Sequence, residues 1–160
     1  MIVIRREHAN LHAAARPLVR IDHHPGMVIH CTGGQRPTDL DHALSRWRIA
    51  QLSHQRERGW SDIGYHYGVT PDGQILEGRG FGVLGAHAKH HNRWLGVVVL
   101  GKGVELLPDE ELAIEAICLA HRARGGGALV IPHNAISRKS CPGPAVTAWV
   151  EQRWPRPVAP

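Results

Sequence analysis

The segment Val28-Ile29-His30-Cys31 gives the clearest indication of the fold class of this chain. It is a β-branched run bounded by Pro25-Gly26 and Gly33-Gly34, which is the pattern of a short buried strand. His30 lies near its carboxyl end, inside an apolar segment. A lone histidine on a strand is more often a hydrogen-bonded core residue than a ligand, because imidazole pairs readily with backbone groups. The role of His30 therefore depends on the residues that the fold brings beside it.

Strand and helix patterns alternate along the rest of the chain. A helix is predicted over residues 38–58, with Thr38 and Asp41 as a capping-box-like start and Gly59 as its stop. The other predicted elements are a hairpin over residues 65–70 and 74–77, a central strand over 96–100, a helix over 108–125, a strand over 128–131 and a helix over 144–154. This order predicts an α/β fold, with a central mixed β-sheet flanked by helices.

Length and composition place the chain among ordinary globular proteins. Its 160 residues suit a single domain, residues 1–160, whose last residues 155–160 form a loose tail. Hydrophobic residues make up 42% and charged residues 21%, which disfavours disorder. No apolar run approaches the roughly 20 residues that cross a bilayer, so no membrane span is expected. The first residues lack the order of a secretory signal, which predicts synthesis in the cytoplasm.

The charge balance narrows the class of partner. Lysine and arginine outnumber aspartate and glutamate by 19 to 14, which favours nucleic acid, acidic lipid or anionic cell-wall polymers. The basic residues are scattered, and one phenylalanine and two tyrosines offer few surfaces for stacking on bases. Stable nucleic-acid binding is therefore not expected. Three widely separated cysteines exclude a disulfide framework.

Two residues late in the chain could bind a metal ion together with His30. His133 follows the strand that ends at Ile131-Pro132, and Cys141 comes eight residues later. Two imidazoles and one thiolate suit zinc and leave a fourth position for water. The alternative for Cys141 is a buried small hydrophobe, but its polar, proline- and glycine-containing loop is a poor place to bury one.

The remaining cysteines and most of the histidines are interpreted as structural or solvated. Neighbouring strand residues face opposite sides of a sheet, so Cys31 is expected to face the core if His30 faces a metal. Cys118 lies on the apolar stripe of a helix and is expected to pack there. Five histidines are expected on loops or exposed helix faces, namely His8, His12, His42, His54 and His121.

Two further side chains are candidates for chemistry. Lys139 stands two residues before Cys141, so in an extended loop its ammonium could point at the open metal position; a solvated lysine is the alternative. Tyr65 and His66 open a predicted strand after Gly64, and only one of them can share a face with the metal.

Six ordered motifs resemble one enzyme family. They are Ile29-His30-Cys31-Thr32, the run from Arg58 to Tyr67 (RGWSDIGYHY), the run from Asp72 to Arg79 (DGQILEGR), Gly85-Ala86-His87-Ala88, Leu95-Gly96-Val97, and Pro132-His133 followed by Lys139-Ser140-Cys141-Pro142. Together they resemble the zinc N-acetylmuramoyl-L-alanine amidases of the phage lysozyme type, which are relatives of the peptidoglycan recognition proteins. The resemblance runs from about residue 27 to residue 150.

The resemblance implies a site and a reaction. It implies one Zn2+ per chain, held by His30, His133 and Cys141, and catalytic roles for Tyr65 and Lys139. The reaction is hydrolysis of the amide bond between N-acetylmuramic acid and L-alanine in peptidoglycan, with zinc activating water and the lysine stabilising the oxyanion. Tyr65 could orient the water, relay its proton or hydrogen-bond the oxyanion.

His87 has two open interpretations. It is a candidate substrate-binding residue in the wall of a groove for glycan and stem peptide. A structural hydrogen-bonding role is equally consistent with the resemblance.

Three alternative functions remain open at this stage. One is a cytosolic amidase that recycles anhydro-muropeptides, although such enzymes typically place aspartate where this chain has Cys141 and carry an insertion. The second is a non-catalytic peptidoglycan-binding module, which usually lacks the metal cysteine. The third is regulation, since some phage relatives also bind RNA polymerase, and the motifs do not decide this. The expectation is a monomeric phage endolysin that is made in the host cytoplasm and acts on cell-wall peptidoglycan; a protein cloned without its signal fits equally.

Overall fold

A computed structural model describes residues 2–101 and 105–155. The predicted loose tail at residues 155–160 lies outside this range except for its first residue. In chain order the elements are β1 (Val3–Ile4), β2 (Gly26–Cys31), α1 (Leu40–Arg56), β3 (Tyr67–Val69), β4 (Ile75–Glu77), β5 (Leu95–Val99), α2 (Pro108–Ala123), β6 (Leu129–Pro132), a 3-10 turn (His133–Ala135) and α3 (Pro144–Arg153).

The strands form one mixed sheet in the order β1-β4-β3-β5-β2-β6. β2 pairs in parallel with β5 on one side and β6 on the other, whereas β3 and β4 form the predicted antiparallel hairpin. The α/β class with a central mixed sheet is thus confirmed. The sequence did not predict β1, which pairs with β4 through Val3 and Ile4 only, because two residues carry no periodic signal.

Two apolar layers cover the sheet. On one side α2 and α3 pack over Met27, Ile29 and Val97, and on the other side Trp47 of α1 packs with Val98. The close approach of Trp47 needs a glycine on β3, where a Cβ atom at Gly68 would lie 3.0 Å from the indole ring. This packing leaves one end of the sheet for the site, since β2 and β6 are parallel and the segments that follow them leave the same edge.

The start of α1 differs from the prediction by one position. Asp39 is the residue that caps the helix, and its carboxylate accepts a hydrogen bond from the backbone N–H of His42 at 2.8 Å. The predicted pair of Thr38 and Asp41 is wrong, because the charged carboxylate of Asp39 is the better acceptor at the positive end of the helix. The hydroxyl of Thr38 instead donates to Asp39.

Candidate metal centre and groove

The structure brings together the three residues singled out as metal ligands. His30 lies near the end of β2, His133 begins the 3-10 turn after β6, and Cys141 lies in the loop before α3. The ligand atoms of the three side chains all lie within 4.8 Å of one another, and they form the one group of this kind in residues 2–101 and 105–155. Parallel pairing of β2 with β6 places the two histidines at the same end of the sheet.

The donor set fits a bound cation. Within the described part of the chain, Nδ1 of His133 is buried and has no hydrogen-bond partner. A buried polar atom left in this state costs free energy, and native proteins keep few of them without a reason. The Sγ atom of Cys141 lies 3.9 Å from Nδ1 of His30. Two imidazole nitrogens and a sulfur that converge in this way match the ligands that Zn2+ prefers.

The electrostatics keep both imidazoles neutral, as a metal ligand must be. Burial lowers the pKa of His30 well below its ordinary value, and neighbouring histidines lower it further. The pKa of His133 is also lowered, first by burial and then by the charge of Lys139. The pKa of the Cys141 thiol is raised by its hydrogen bond with the Cys31 thiol and by burial. A cation at this position would reverse that effect and stabilise the thiolate.

Tyr65 and Lys139 both lie at the groove that leads to this cluster. The ring centroid of Tyr65 is 5.3 Å from that of His30. Tyr65 is therefore the residue on the side of the cluster, whereas the neighbouring His66 is fully buried. Burial raises the pKa of the Tyr65 phenol, which therefore keeps its proton at neutral pH. Lys139 is exposed at the rim.

The groove is an open cavity of about 500 Å³. Residues of four segments line it, and those relevant to its chemistry are His30, His54, Arg58, Trp60, Tyr65, His87, Lys89, His133, Lys139 and Cys141. Among the described residues that line it, three carry a positive side chain and none is aspartate or glutamate. The cavity is therefore electropositive and suits an anionic ligand.

His54 is a wall residue that the sequence interpretation missed. Its Nδ1 accepts a hydrogen bond from the backbone N–H of Gly64 at 3.0 Å, and its ring centroid lies 4.7 Å from that of Trp60. Burial lowers its pKa to about 4. The expectation of a solvated side chain is thus wrong. The signal was present, since Trp47, Gln51 and His54 follow one another at helical spacing on the inner face of α1.

Two other expectations are corrected by the structure. His121 was expected in solvent, yet it is buried, and its Nε2 bonds to the carbonyl of Gly127 at 3.1 Å. Cys31 was expected to face the core, yet it is half-buried and lines the groove, and its backbone N–H donates to Cys141 Sγ at 3.3 Å. Cys31 is the last residue of β2. At the end of a strand the flanking helices need not cover either face of the sheet, so alternation along the strand does not bury the side chain. Cys118 packs in the core as predicted.

His87 lines the groove and also bonds to His30. Its Nδ1 lies 3.0 Å from His30 Nε2, and its own Nε2 lies 2.9 Å from the carbonyl oxygen of Trp94. Both ring nitrogens are thus engaged by protein atoms. Substrate binding by His87 stays a prediction, while the structural contact is present.

Comparison with known proteins assigns the family. The sequence profile described as N-acetylmuramoyl-L-alanine amidase matches residues 22–144. The chain belongs to this family. The resemblance that the motifs indicated is therefore confirmed, and the match includes the strand of His30 and the loop of Cys141.

Individual relatives of this N-acetylmuramoyl-L-alanine amidase family member include animal and phage proteins. Peptidoglycan-recognition protein LB of Drosophila melanogaster is 36% identical over 118 residues, which are 70% of this chain and 50% of that protein. The N-acetylmuramoyl-L-alanine amidase of Homo sapiens is 35% identical over 130 residues, 75% of this chain and 22% of that protein. The endolysin of Escherichia phage T7 is 30% identical over 135 residues, 79% of this chain and 85% of that protein. The chain thus spans half or less of the length of these two animal relatives.

Solved structures share the fold over nearly the whole chain. Wild-type PGRP-LB of Drosophila has a TM-score of 0.87 at 28% identity, covering 96% of this chain and 94% of that one. A tyrosine-to-phenylalanine variant of the same protein, solved in complex with tracheal cytotoxin, has a TM-score of 0.89 at 26% identity, covering 98% and 96%. Among the described residues of this chain, no helix has the length and apolar character that crossing a bilayer requires.

Proposed function

We propose that this chain is a zinc-dependent amidase that hydrolyses the bond between N-acetylmuramic acid and L-alanine in peptidoglycan. The observation that carries the proposal is the His30, His133 and Cys141 cluster, whose ligand atoms lie within 4.8 Å of one another beside an open groove of about 500 Å³. Family membership and relatives named as amidases and endolysins support the same reaction class. We further propose that residues 1–160 act as one domain and as a monomer.

The metal would be held by one nitrogen of each histidine and by the sulfur of Cys141. When bound there, Zn2+ would polarise the scissile carbonyl and lower the pKa of water. Among the described residues three contribute ligand atoms to the cluster, which is the arrangement of catalytic rather than structural zinc sites.

The protein's own donors complete the proposed chemistry. Lys139 places a positive charge at the rim of the groove, where it can donate a hydrogen bond to the carbonyl oxygen as negative charge develops. Tyr65 keeps its phenolic proton and lies against His30, so it can donate to the oxyanion or orient the attacking water. Neither residue is among the proposed metal ligands, so catalysis can be tested separately from metal binding.

The charge of the groove supports a peptidoglycan substrate. Arg58, Lys89 and Lys139 line it, with no acidic residue among the described lining residues. The stem peptide of peptidoglycan carries carboxylates, which such a surface attracts. Trp60 offers an apolar wall beside these charges, with the guanidinium of Arg58 5.1 Å from its ring centroid.

A digest of purified sacculi tests the proposal. We expect release of free L-alanine amino groups without new reducing sugar ends, and loss of this release after chelation and in Cys141→Ala. Reducing ends without new amines would identify a glycosidase, and binding without either product would identify a recognition module. A parallel assay on soluble anhydro-muropeptides separates a lytic enzyme, which prefers intact sacculi, from a recycling enzyme.

The biological setting belongs to the same proposal. Endolysin relatives that the chain covers over most of their length support a lytic role against the cell wall, and we propose a phage origin. Binding to RNA polymerase is a separate prediction, which a pull-down with purified polymerase tests.

A further inference from the structure

The ring of His87 is held in a tight slot. A Cβ atom at Gly85 would lie 2.6 Å from the ring, and one at Gly96 would lie 2.5 Å from it, so only glycine at both positions leaves room. The backbone on either side is also tied, because Asn92 Oδ1 accepts hydrogen bonds from the N–H groups of His87 and Ala88 at 2.9 and 3.0 Å. Such a slot holds the imidazole in one orientation.

The slot aims His87 edge-on at His30. The two ring centroids are 5.0 Å apart with an interplanar angle of 86°, and the nitrogens in contact are His87 Nδ1 and His30 Nε2 at 3.0 Å. The other nitrogen of His87 faces the carbonyl oxygen of Trp94 at 2.9 Å. The three groups therefore form a chain from the backbone to the metal cluster.

This series of hydrogen bonds fixes which ring nitrogens carry protons. A carbonyl oxygen only accepts hydrogen bonds, so His87 Nε2 carries its proton. A neutral imidazole carries one proton, and the neutral form is the one in which a histidine ligates a metal. His87 Nδ1 is then an acceptor, and the proton of His30 must lie on Nε2. The lone pair of His30 is left on Nδ1, the nitrogen that faces Cys141 Sγ at 3.9 Å.

We propose that His87 is a positioning residue that sets the tautomer and the ring orientation of His30, and thereby the affinity of the cluster for its metal. The proposal rests on the metal-binding role proposed above for His30. It gives His87 a task that needs no contact with substrate. Hydrogen bonds of this kind to a ligating histidine fix its tautomer and raise its basicity, and their loss typically costs roughly 10–100-fold in metal affinity.

Metal affinity is the first readout. Zn2+ affinity of the purified protein is measured by competition with a chromophoric chelator for the wild type, His87→Phe and His87→Gln. We expect His87→Phe, which keeps a ring but no acceptor, to bind Zn2+ about 10–100-fold more weakly. His87→Gln keeps an amide oxygen that can accept from His30, so it should recover most of the loss.

A matched control separates positioning from general stability. His121 is also buried and also bonds to a backbone carbonyl, but within the described part of the chain it has no hydrogen bond to His30, His133 or Cys141. His121→Phe should lower the melting temperature and leave Zn2+ affinity unchanged. Equal loss of affinity in His121→Phe and His87→Phe would overturn the proposal.

The tautomer is the second readout, and it needs no variant. Long-range 1H–15N spectra of the metal-free wild type should show His30 protonated on Nε2 and His87 protonated on Nε2. A proton on His30 Nδ1 would overturn the proposal even if His87→Phe does not fold. Wild-type protein that binds no Zn2+ at His30 would instead refute the proposed function. If the wild type binds Zn2+ and His87→Phe binds it with the same affinity, the positioning role is refuted and the proposed function is not.

Discussion

Two groups of buried histidines lie in this molecule, and they differ in how their ring nitrogens are used. In one group the nitrogens bond to backbone atoms: His66 accepts from the N–H of Gly96 at 2.8 Å and contacts the carbonyl of Val83 at 2.8 Å. In the other group, the candidate metal ligands, His30 turns a nitrogen toward Cys141, and His133 keeps a buried nitrogen without a partner in the described part of the chain.

Burial by itself therefore does not identify a functional histidine in this protein. His66 is more completely buried than His133, yet every nitrogen of its ring is used to hold strands and loops together. An unsatisfied or converging nitrogen is the useful signal, because the protein bears its free-energy cost and a ligand can offset it.

The largest effect is expected from removing the sulfur of the cluster. Cys141→Ala should weaken Zn2+ binding by more than about 100-fold and abolish amidase activity, because a ligand counts for more than a group that only hydrogen-bonds to one. Metal analysis and chelator competition measure the change. Cys118→Ala removes a buried thiol from the core and should keep the metal. Full zinc retention in Cys141→Ala would contradict the assigned cluster.

A second large effect is expected on turnover alone. Lys139→Ala and Tyr65→Phe should retain zinc and fold but lose roughly 100- to 1000-fold in turnover on sacculi, because each removes a donor aimed at developing charge. Arg138→Ala removes a neighbouring exposed charge that does not line the groove and serves as the control. Wild-type turnover in both variants would mean that these side chains are a solvated lysine and a packed tyrosine.

A smaller effect is expected from changing His66, and it should fall on the free energy of unfolding rather than on metal affinity. His66→Phe would leave the buried N–H of Gly96 and the carbonyl of Val83 without their partner. Each unsatisfied group costs about 1–3 kcal/mol, so the free energy of unfolding should fall by about 2–6 kcal/mol in urea titrations. Zn2+ affinity should change little. Loss of metal with unchanged stability would reverse the contrast between the two groups.

The smallest effect concerns acid sensitivity through His54. Burial lowers its pKa from 6.5 to about 4 in the folded protein. Above pH 6.5 the ring is neutral in both states and stability is complete; between pH 6.5 and 4 the unfolded chain takes up a proton that the folded protein excludes. The free energy of unfolding should therefore fall as pH decreases through this window.

The variant His54→Gln isolates this contribution. It retains an acceptor for the N–H of Gly64 but has no titrating ring. Melting curves of chelator-treated protein between pH 7 and 4 should show a shallower decline than the wild type. An unchanged slope would show that His54 is not excluded from protonation in the folded state.

Several elements followed from local pattern. Pro108 marks the first residue of α2, and the hairpin turn contains Gly73 with φ of +73°, a conformation that glycine adopts without strain. The strand of His30 was predicted within two residues of its observed start. The α1 cap, the buried faces of His54 and His121 and the pairing of β1 were missed, because each depends on which face another segment covers.

Local sequence was enough to predict the residue types of the cluster, the order of its segments and the strand that carries His30. Those features depend on periodicity, turn residues and ligand chemistry, which are local. The contact of Cys141 with Cys31, 110 residues earlier, and the contact of His87 with His30, across 57 residues, form only in the folded chain. Parallel strands bring distant segments together only through their order and register, and nothing in the local pattern of either segment encodes the 3.0 Å contact or the nitrogen of His30 that it leaves for a metal.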